Sequence, residues 1–472
     1  MSENYFLEHI FRHLQHEPTN AQKEALGKLF YFLSSIESNE IFILKGYAGT
    51  GKTSLLSALI KSLPSFGINS ILMAPTGRAA KVLSSFAEKP AYTIHKIIYR
   101  QNSKSDVSKG FALNFNKYKN TIFIVDEASM ITGRSEFGSP FGSGCLFCDL
   151  IQFIENGSNC KLILCGDDAQ LPPVESDESP ALQKDYVESF GYKAIVSQMN
   201  DIVRQALDSG ILSNANLIRK AIQTLLENIP RLKTIGFTDV EKIDGTNLIE
   251  TIETHYNNNG IDETKIITRT NKQANKYNQG IKSRILWHEE ELVPGDRLMV
   301  VKNNYFWLPE NSPIDFIANG DMINLIRLRS SYNFFNTKFY DAVISLSDNS
   351  DFEIELKILV DSLHVEAASL PSEFYSNLYK EIEADYSHIE NNKKRAEAVL
   401  NDQFFNALQI KHAYAITCHK AQGGQWDVVF IDHGWLPDTE PDIAFFRWLY
   451  TAITRAKEKL YFVNFKPEFV EN

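Results

Sequence analysis

Basic charge is in short supply. Across 472 residues, 48 lysines and arginines stand against 59 aspartates and glutamates, a formal net charge of −11. That balance gives no whole-surface attraction for a polyanion, so any nucleic-acid site has to be a local patch. Cysteine is scarce too: five in the chain are too few for a disulfide framework, which fits a reducing, cytoplasmic setting. Long apolar runs are missing. "TIFIV" and "KLILC" are strand-sized, too short for a membrane-spanning helix. The N-terminal "MSENYFLEHIFRHLQHEP" is acidic and amphipathic and has no basic region leading to a small-residue cleavage site, so no signal peptide is expected. No repeat, Ser-His-Asp pattern or nuclease-like acidic cluster is present.

What remains is a globular chain, 43% hydrophobic and 23% charged, long enough for two to four domains. The first third alternates short apolar strands ("IFILK", "SILMA", "TIFIVDE", "KLILCGD") with helical segments, the pattern of a doubly wound parallel sheet. The alternation resumes near Thr264, yields to β-rich sequence at "NGDMINLIRL", passes through a polar helical stretch (Glu373–Leu400) and returns at "HAYAITCHKAQ". The simplest division is two α/β domains, each carrying a smaller inserted module.

"GYAGTGKT" (Gly46 to Thr53) lies between a predicted strand and a predicted helix, the context a phosphate loop requires. Glycines at 46, 49 and 51 let the backbone curl so that loop amides, those of Ala48 and Thr50 included, face phosphate oxygens. Lys52 neutralises the β/γ phosphates and Thr53 offers a hydroxyl to Mg²⁺. "TIFIVDEAS" delivers Asp126, suited to the Mg²⁺ shell, and Glu127, suited to polarising the attacking water. Gln170 in "LILCGDDAQLPPV" suits sensing the γ-phosphate. Gln22 has two readings: it completes a capping box with Thr19, or its amide reads the adenine edge.

Other stretches are less decisive. Cys145, Cys148, Cys160 and Cys165 fall close together, but helix and strand placement favours small buried hydrophobes over a zinc site. The Lys96–Lys119 insert carries six basic residues, Lys96, Arg100, Lys104, Lys109, Lys117 and Lys119, against Asp106 alone, the best local footprint for a polyanion. "TCHKAQGG" (Thr417 to Gly424) packs a thiol, an imidazole, an ammonium and an amide into a turn after an apolar strand.

Taken in order, "GYAGTGKT", "APTGRAAK", "TIH", "DEASM", "GDDAQLPPV", "VRQ", "TRTNKQANKYN", "NGD", "TCHKAQGGQWD" and "LYTAITRAK" resemble the superfamily 1 helicases of the 5′→3′ RecD/Dda-like branch. The resemblance runs from Gln22 to Arg455. It implies two RecA-like domains with ATP and Mg²⁺ between them: the first over 1–95 and 120–190, the second over 191–318 and 410–472. It also implies an inserted hairpin wedge over 96–119 and an SH3-like β-barrel with a helical extension over 319–409. Arg204 and Arg455 become the second domain's γ-phosphate contacts, and Gly423 a nucleotide contact linking track to cleft. Pro75, Thr76, Gly77, Thr93, His95, Asn271, Thr417 and His419 become DNA contacts. Phe111, beside Gly110, is the candidate wedge tip; alternatively the insert's aromatics only pack the hairpin onto the first domain. The function implied is an ATP-dependent 5′→3′ DNA helicase, a monomer moving on single-stranded DNA and opening single-strand/duplex junctions, with a replication or repair protein as a possible partner and no membrane association. An RNA-directed helicase and an ATP-switched loading subunit without unwinding are the alternatives.

Overall fold

The computed structural model describes residues 2–14, 16–101, 111–135, 139, 141–201, 208–224, 230–309, 312, 316–347, 349–434 and 442–471. In the first third, β1 (Glu40–Gly46), β2 (Asn69–Ala74) and β3 (Ala91–Thr93) enter one parallel sheet, β2 and β3 toward one edge and β1 toward the other. There follows a two-stranded antiparallel ladder, β4 (Tyr99–Gln101) with β5 (Phe111–Leu113). The sheet is completed by β6 (Thr121–Val125), β7 (Lys161–Gly166) and β8 (Lys193–Met199), in the order β3-β2-β6-β7-β1-β8. The run "IFIL" in β1 is apolar throughout because both faces of the sheet are covered. Phe42 and Leu44 pack under the helices Asn20–Ser34 and Lys52–Ser62, while Ile41 and Ile43 join the opposite core with Phe147, Leu150 and Val187. β8 pairs with β1 from Glu40↔Lys193 to Gly46↔Met199. The first domain therefore runs past the expected boundary at 190.

The second sheet takes β9 (Val240–Ile243) and β10 (Thr264–Thr268) before the chain leaves for a closed barrel. The barrel comprises β11 (Arg297–Val300), β12 (Met322–Phe334), β13 (Thr337–Leu346), β14 (Asn349–Leu359) and β15 (Leu408–His412). The chain then returns as β16 (Ala415–Thr417), β17 (Trp426–Asp432) and β18 (Ala456–Val463), giving the sheet order β16-β10-β17-β18-β9. The barrel has its own core around Leu298, Ile323, Ile344, Ile358 and Ile410. It spans 297–412 rather than 319–409, because its first and last strands lie outside the expected limits. β14 and β15 pair in parallel, which demands a crossover connection. That crossover is the polar helical stretch, now the helices Ser372–Asp385 and Asn392–Leu400. Leu378, Ile382 and Val399 anchor it to Phe339 and Leu359 of the barrel. No helix among the described residues is long and apolar enough to cross a membrane.

Candidate active site

The phosphate loop joins the C-terminal end of β1 to the helix Lys52–Ser62. Gly49 and Gly51 hold φ of 77° and 75°, left-handed values that favour glycine. At Gly46 a Cβ would come within 3.0 Å of Thr50 Oγ1 and 3.2 Å of Lys52 Cβ. The Thr50 hydroxyl donates to the Tyr47 carbonyl at 2.7 Å, so this side chain holds the loop's curl. Thr53 is the second residue of the helix.

Lys52 is enclosed. Burial alone would lower its pKa, but Asp126, Glu127 and Asp167 outweigh burial and raise it. Asp126 follows β6 directly, its amide bonded to the Met73 carbonyl at 3.0 Å. Burial pushes its carboxyl up against the pull of Lys52. Glu127 sits at φ 53°, a left-handed conformation that costs a non-glycine residue energy and clusters at functional sites. Its Oε2 and the Oε1 of Gln170 are both buried without a hydrogen-bond partner. Two orphaned acceptors on the turns after β6 and β7 fit a site that receives donors with its ligand. Thr53 and Asp126 are a donor pair suited to Mg²⁺, which takes few protein ligands and keeps water and phosphate for the rest.

Gln22 takes the first of its two readings, the helix cap. Its side chain completes the capping box with Thr19, Oε1 accepting from the Thr19 amide at 3.0 Å. Its Nε2 donates to the Thr50 carbonyl at 3.2 Å, tying the cap to the phosphate loop.

The second domain closes the cleft through the helix Ile443–Ile453. The Tyr450 hydroxyl accepts from the Ala48 amide at 2.9 Å and donates to Asp167 at 2.6 Å; with the Thr50 amide bonded to the Tyr47 carbonyl at 3.3 Å, the two loop amides expected to face phosphate are both taken by the protein itself. Burial raises the Asp167 pKa to about 6, with Lys52 and the Tyr450 hydroxyl opposing. Thr451 Oγ1 accepts from the Leu171 amide at 2.8 Å, and Gln422 Nε2 donates to the Leu171 carbonyl at 2.7 Å. From the helix Gly210–Thr224, the Arg219 guanidinium lies 4.6 Å over the Tyr47 ring. The sequence gives no site role to Tyr450 and Thr451, although both lie in "LYTAITRAK", nor to Arg219. Each is an ordinary residue on an amphipathic helix until the two domains are set face to face.

Arg455 is 3% exposed, and its guanidinium bonds Thr451 O, Gly424 O and Thr454 Oγ1 at 3.0–3.1 Å. All three partners belong to its own domain, where a γ-phosphate contact was expected. Arg204 lies outside the described residues. Gly423 (φ 73°) faces the first domain rather than the phosphate loop: a Cβ there would meet Ala79 at 2.9 Å and Thr76 Oγ1 at 3.1 Å. Beside it Arg78 stacks on Trp426 at 4.1 Å and donates to the Gln425 carbonyl, a second contact between the domains.

The candidate DNA contacts fall on one edge of each sheet. Pro75, Thr76 and Gly77 follow β2, and Thr93 ends β3 opposite Ala74. Asn271 opens the helix after β10, and Thr417 ends β16 opposite Thr268. The Thr76 and Thr93 hydroxyls cap the helices Gly77–Ala87 and Ile94–Ile98, so these threonines set helix N-termini whose amides suit phosphate. His419 is exposed at the second position of the short helix Cys418–Ala421, and neighbouring Lys420 bonds Asn319 just before β12. His95 is different: its ring lies 4.7 Å from Phe141, and burial lowers its pKa to about 4. It joins an aromatic cluster with Tyr99, Phe141 and Phe316.

Two expectations fail on packing. Phe111 is 8% exposed, stacked on Phe141 at 4.8 Å and in contact with Tyr305 and Phe316. It anchors the β4–β5 ladder and is not its tip. The tip, with Lys104, Asp106, Lys109 and Gly110, lies outside the described residues. Cys145 and Cys148 are joined as a disulfide, against the expectation of free thiols, and so are removed from any zinc site. Cys160, Cys165 and Cys418 are free and buried.

The sequence profile described as an AAA domain matches residues 19–237, and that of a UvrD-like helicase C-terminal domain matches residues 412–463. The ATP-dependent DNA helicase dda of Enterobacteria phage T4 is 24% identical, over 94% of this chain and 99% of the relative. The ATP-dependent RecD2 DNA helicase of Deinococcus radiodurans is 22% identical, over 94% of this chain and 50% of the relative. Among solved structures, a Pif1 helicase from Bacteroides in complex with ADP-AlF3 and ssDNA aligns over 97% of this chain and 95% of its own, with 14% identity and a TM-score of 0.45.

Proposed function

We propose, for a chain that belongs to the superfamily 1 helicases of the RecD/Dda-like branch, that ATP hydrolysis between its two parallel-sheet domains drives movement along single-stranded DNA in the 5′→3′ direction and the opening of duplex DNA ahead of it. The observation that carries this reading is the convergence of Lys52 with Asp126, Glu127 and Asp167 at the sheet edge that the second domain's Tyr450 also touches. A nucleotide held there lies against both domains, so its turnover changes how they meet.

The residues divide the work. The loop amides and Lys52 bind and orient the phosphates, Thr53 and Asp126 suit Mg²⁺, and the orphaned Glu127 carboxylate oxygen is placed to take a proton from water. Bound Mg²⁺ would supply charge neutralisation on the transferring phosphate. The threonine-capped helix ends of the first sheet and the β10 and β16 ends of the second form the path for a DNA backbone. Neither sheet edge carries a reading of sequence, which fits a motor that must pass over any base.

The test is ATP-driven strand displacement on duplexes carrying only a 5′ or only a 3′ tail, in DNA and RNA versions. Displacement confined to the 5′-tailed DNA substrate is expected. Activity on the 3′ tail alone overturns the polarity, and activity on RNA alone overturns the substrate class. DNA-stimulated hydrolysis without displacement points to a clamp or loader.

A further inference from the structure

Gln170, whose Oε1 is buried without a partner, sits in a turn that the second domain holds on both sides. Upstream, Asp167 accepts from the Tyr450 hydroxyl at 2.6 Å. Downstream, the Leu171 amide donates to Thr451 Oγ1 at 2.8 Å and the Leu171 carbonyl accepts from Gln422 Nε2 at 2.7 Å. The turn also closes on itself, with the Gln170 amide donating to the Asp167 carbonyl at 3.3 Å and the Ala169 amide donating to Asp167 Oδ1 at 2.9 Å. So three bonds from another domain fix both ends of a four-bond peptide turn that carries one unsatisfied amide.

Of the three, Tyr450 alone also reaches the phosphate loop. Its hydroxyl accepts from the Ala48 amide at 2.9 Å while donating to Asp167. The residue is 1% exposed, and its ring joins the second domain's core with Leu449 and Ile453. One oxygen on the second domain thereby ties the loop to the turn. A phenyl ring of the same shape would keep the packing and lose both bonds, so the hydroxyl has a role that packing does not explain. Gln422 belongs to the stretch that carries Thr417 and His419, so the same turn is also bonded to the element at the DNA edge.

Resting on the helicase reading above, we infer that Tyr450 is a positioning residue for ATP hydrolysis: its hydroxyl sets the Gln170 turn against the phosphate loop when the second domain closes the cleft. It acts through Gln170 and the loop and touches no reacting atom. Loss of a buried bond to a charged acceptor predicts a roughly ten- to hundredfold effect. Since the substitution leaves Lys52 and Thr53 in place and only frees the Ala48 amide, the effect belongs in kcat and not in KM.

The experiment is DNA-stimulated ATPase kinetics on the full chain for wild type, Tyr450→Phe, Gln170→Ala and the double variant, each with a thermal melt. Expected are a fall in kcat of at least about tenfold for Tyr450→Phe with KM within about threefold, and no more than about a twofold further effect of Tyr450→Phe in the Gln170→Ala background. Thr451→Val, which removes one of the other bonds to the turn, should move kcat in the same direction. Wild-type kcat in a folded Tyr450→Phe protein overturns the inference. So does a raised KM at unchanged kcat, and so does a double variant in which the two losses multiply. A wild-type chain that hydrolyses no ATP would fail the helicase reading itself, a separate outcome visible in the same assay.

Discussion

His95 and His412 carry a consequence that their neighbours do not. Burial lowers both imidazoles from 6.5 to about 4, so the folded protein keeps them neutral while the unfolded chain protonates them near 6.5. The unfolded state then binds more protons between those values, and stability present above pH 6.5 is lost as the pH falls toward 4. Asp167, raised to about 6, works in the opposite sense over part of that range, since its folded state takes up a proton first. The cleanest measurement is therefore a difference. From pH 7.5 to about pH 5, a His412→Gln protein should lose less stability in urea than wild type, by about 1–2 kcal/mol. Equal losses in the two proteins would mean that the His412 ring titrates freely in the folded state.

At the scale of elements, the β4–β5 ladder is fixed to the body of the protein by a ring cluster in which Phe111, Phe141, Tyr305 and Phe316 all meet. Truncating a large buried aromatic costs about 3–5 kcal/mol where the site cannot collapse. Phe111→Ala should therefore free the ladder while leaving the nucleotide site whole: strand displacement should fall by roughly tenfold or more with ATP hydrolysis retained. Unchanged displacement would show that the ladder takes no part in duplex opening. This cluster also marks where the sequence stops being informative. The phosphate loop, the acidic pair after β6 and the parallel alternation are local patterns, and each could be read from a dozen neighbouring residues. Phe111 was misplaced because an aromatic near a glycine does not declare which way it faces. Its partners Tyr305 and Phe316 come from a segment far along the chain. Tyr450 was missed for the same reason: its partner Asp167 lies 283 residues away. The barrel's limits escape the sequence because β11 (Arg297–Val300) and β15 (Leu408–His412) are short strands with no distinctive pattern, and only pairing assigns them to the barrel and not to the adjoining sheet.

For the whole molecule, charge and shape pull in different directions. A chain with a net charge of −11 repels nucleic acid at long range, so on the proposed path binding comes from short-range contacts along the two sheet edges. Backbone contacts of that kind release counterions and make affinity strongly salt-dependent. Single-stranded DNA affinity should fall more than roughly tenfold between about 50 and about 200 mM salt, measured by fluorescence anisotropy with a labelled oligonucleotide of mixed sequence. An affinity that stays level across that range would mean that bases, and not phosphates, hold the strand.

The second sheet has a further consequence, for how the chain comes to be folded at all. β10 is flanked by β16 and β17, and the whole barrel with its helical crossover is synthesised between them. As the polypeptide leaves the ribosome, β10 emerges with both its hydrogen-bonding edges bare, and it waits for partners that follow only after the barrel is complete. Pairings over such sequence separations form slowly, and a strand left open in the meantime is a place where chains stick to one another. The first domain, whose strands arrive close together, should fold on the ribosome without help. The second should be the part that limits refolding yield in dilute buffer, and the part a chaperone would hold.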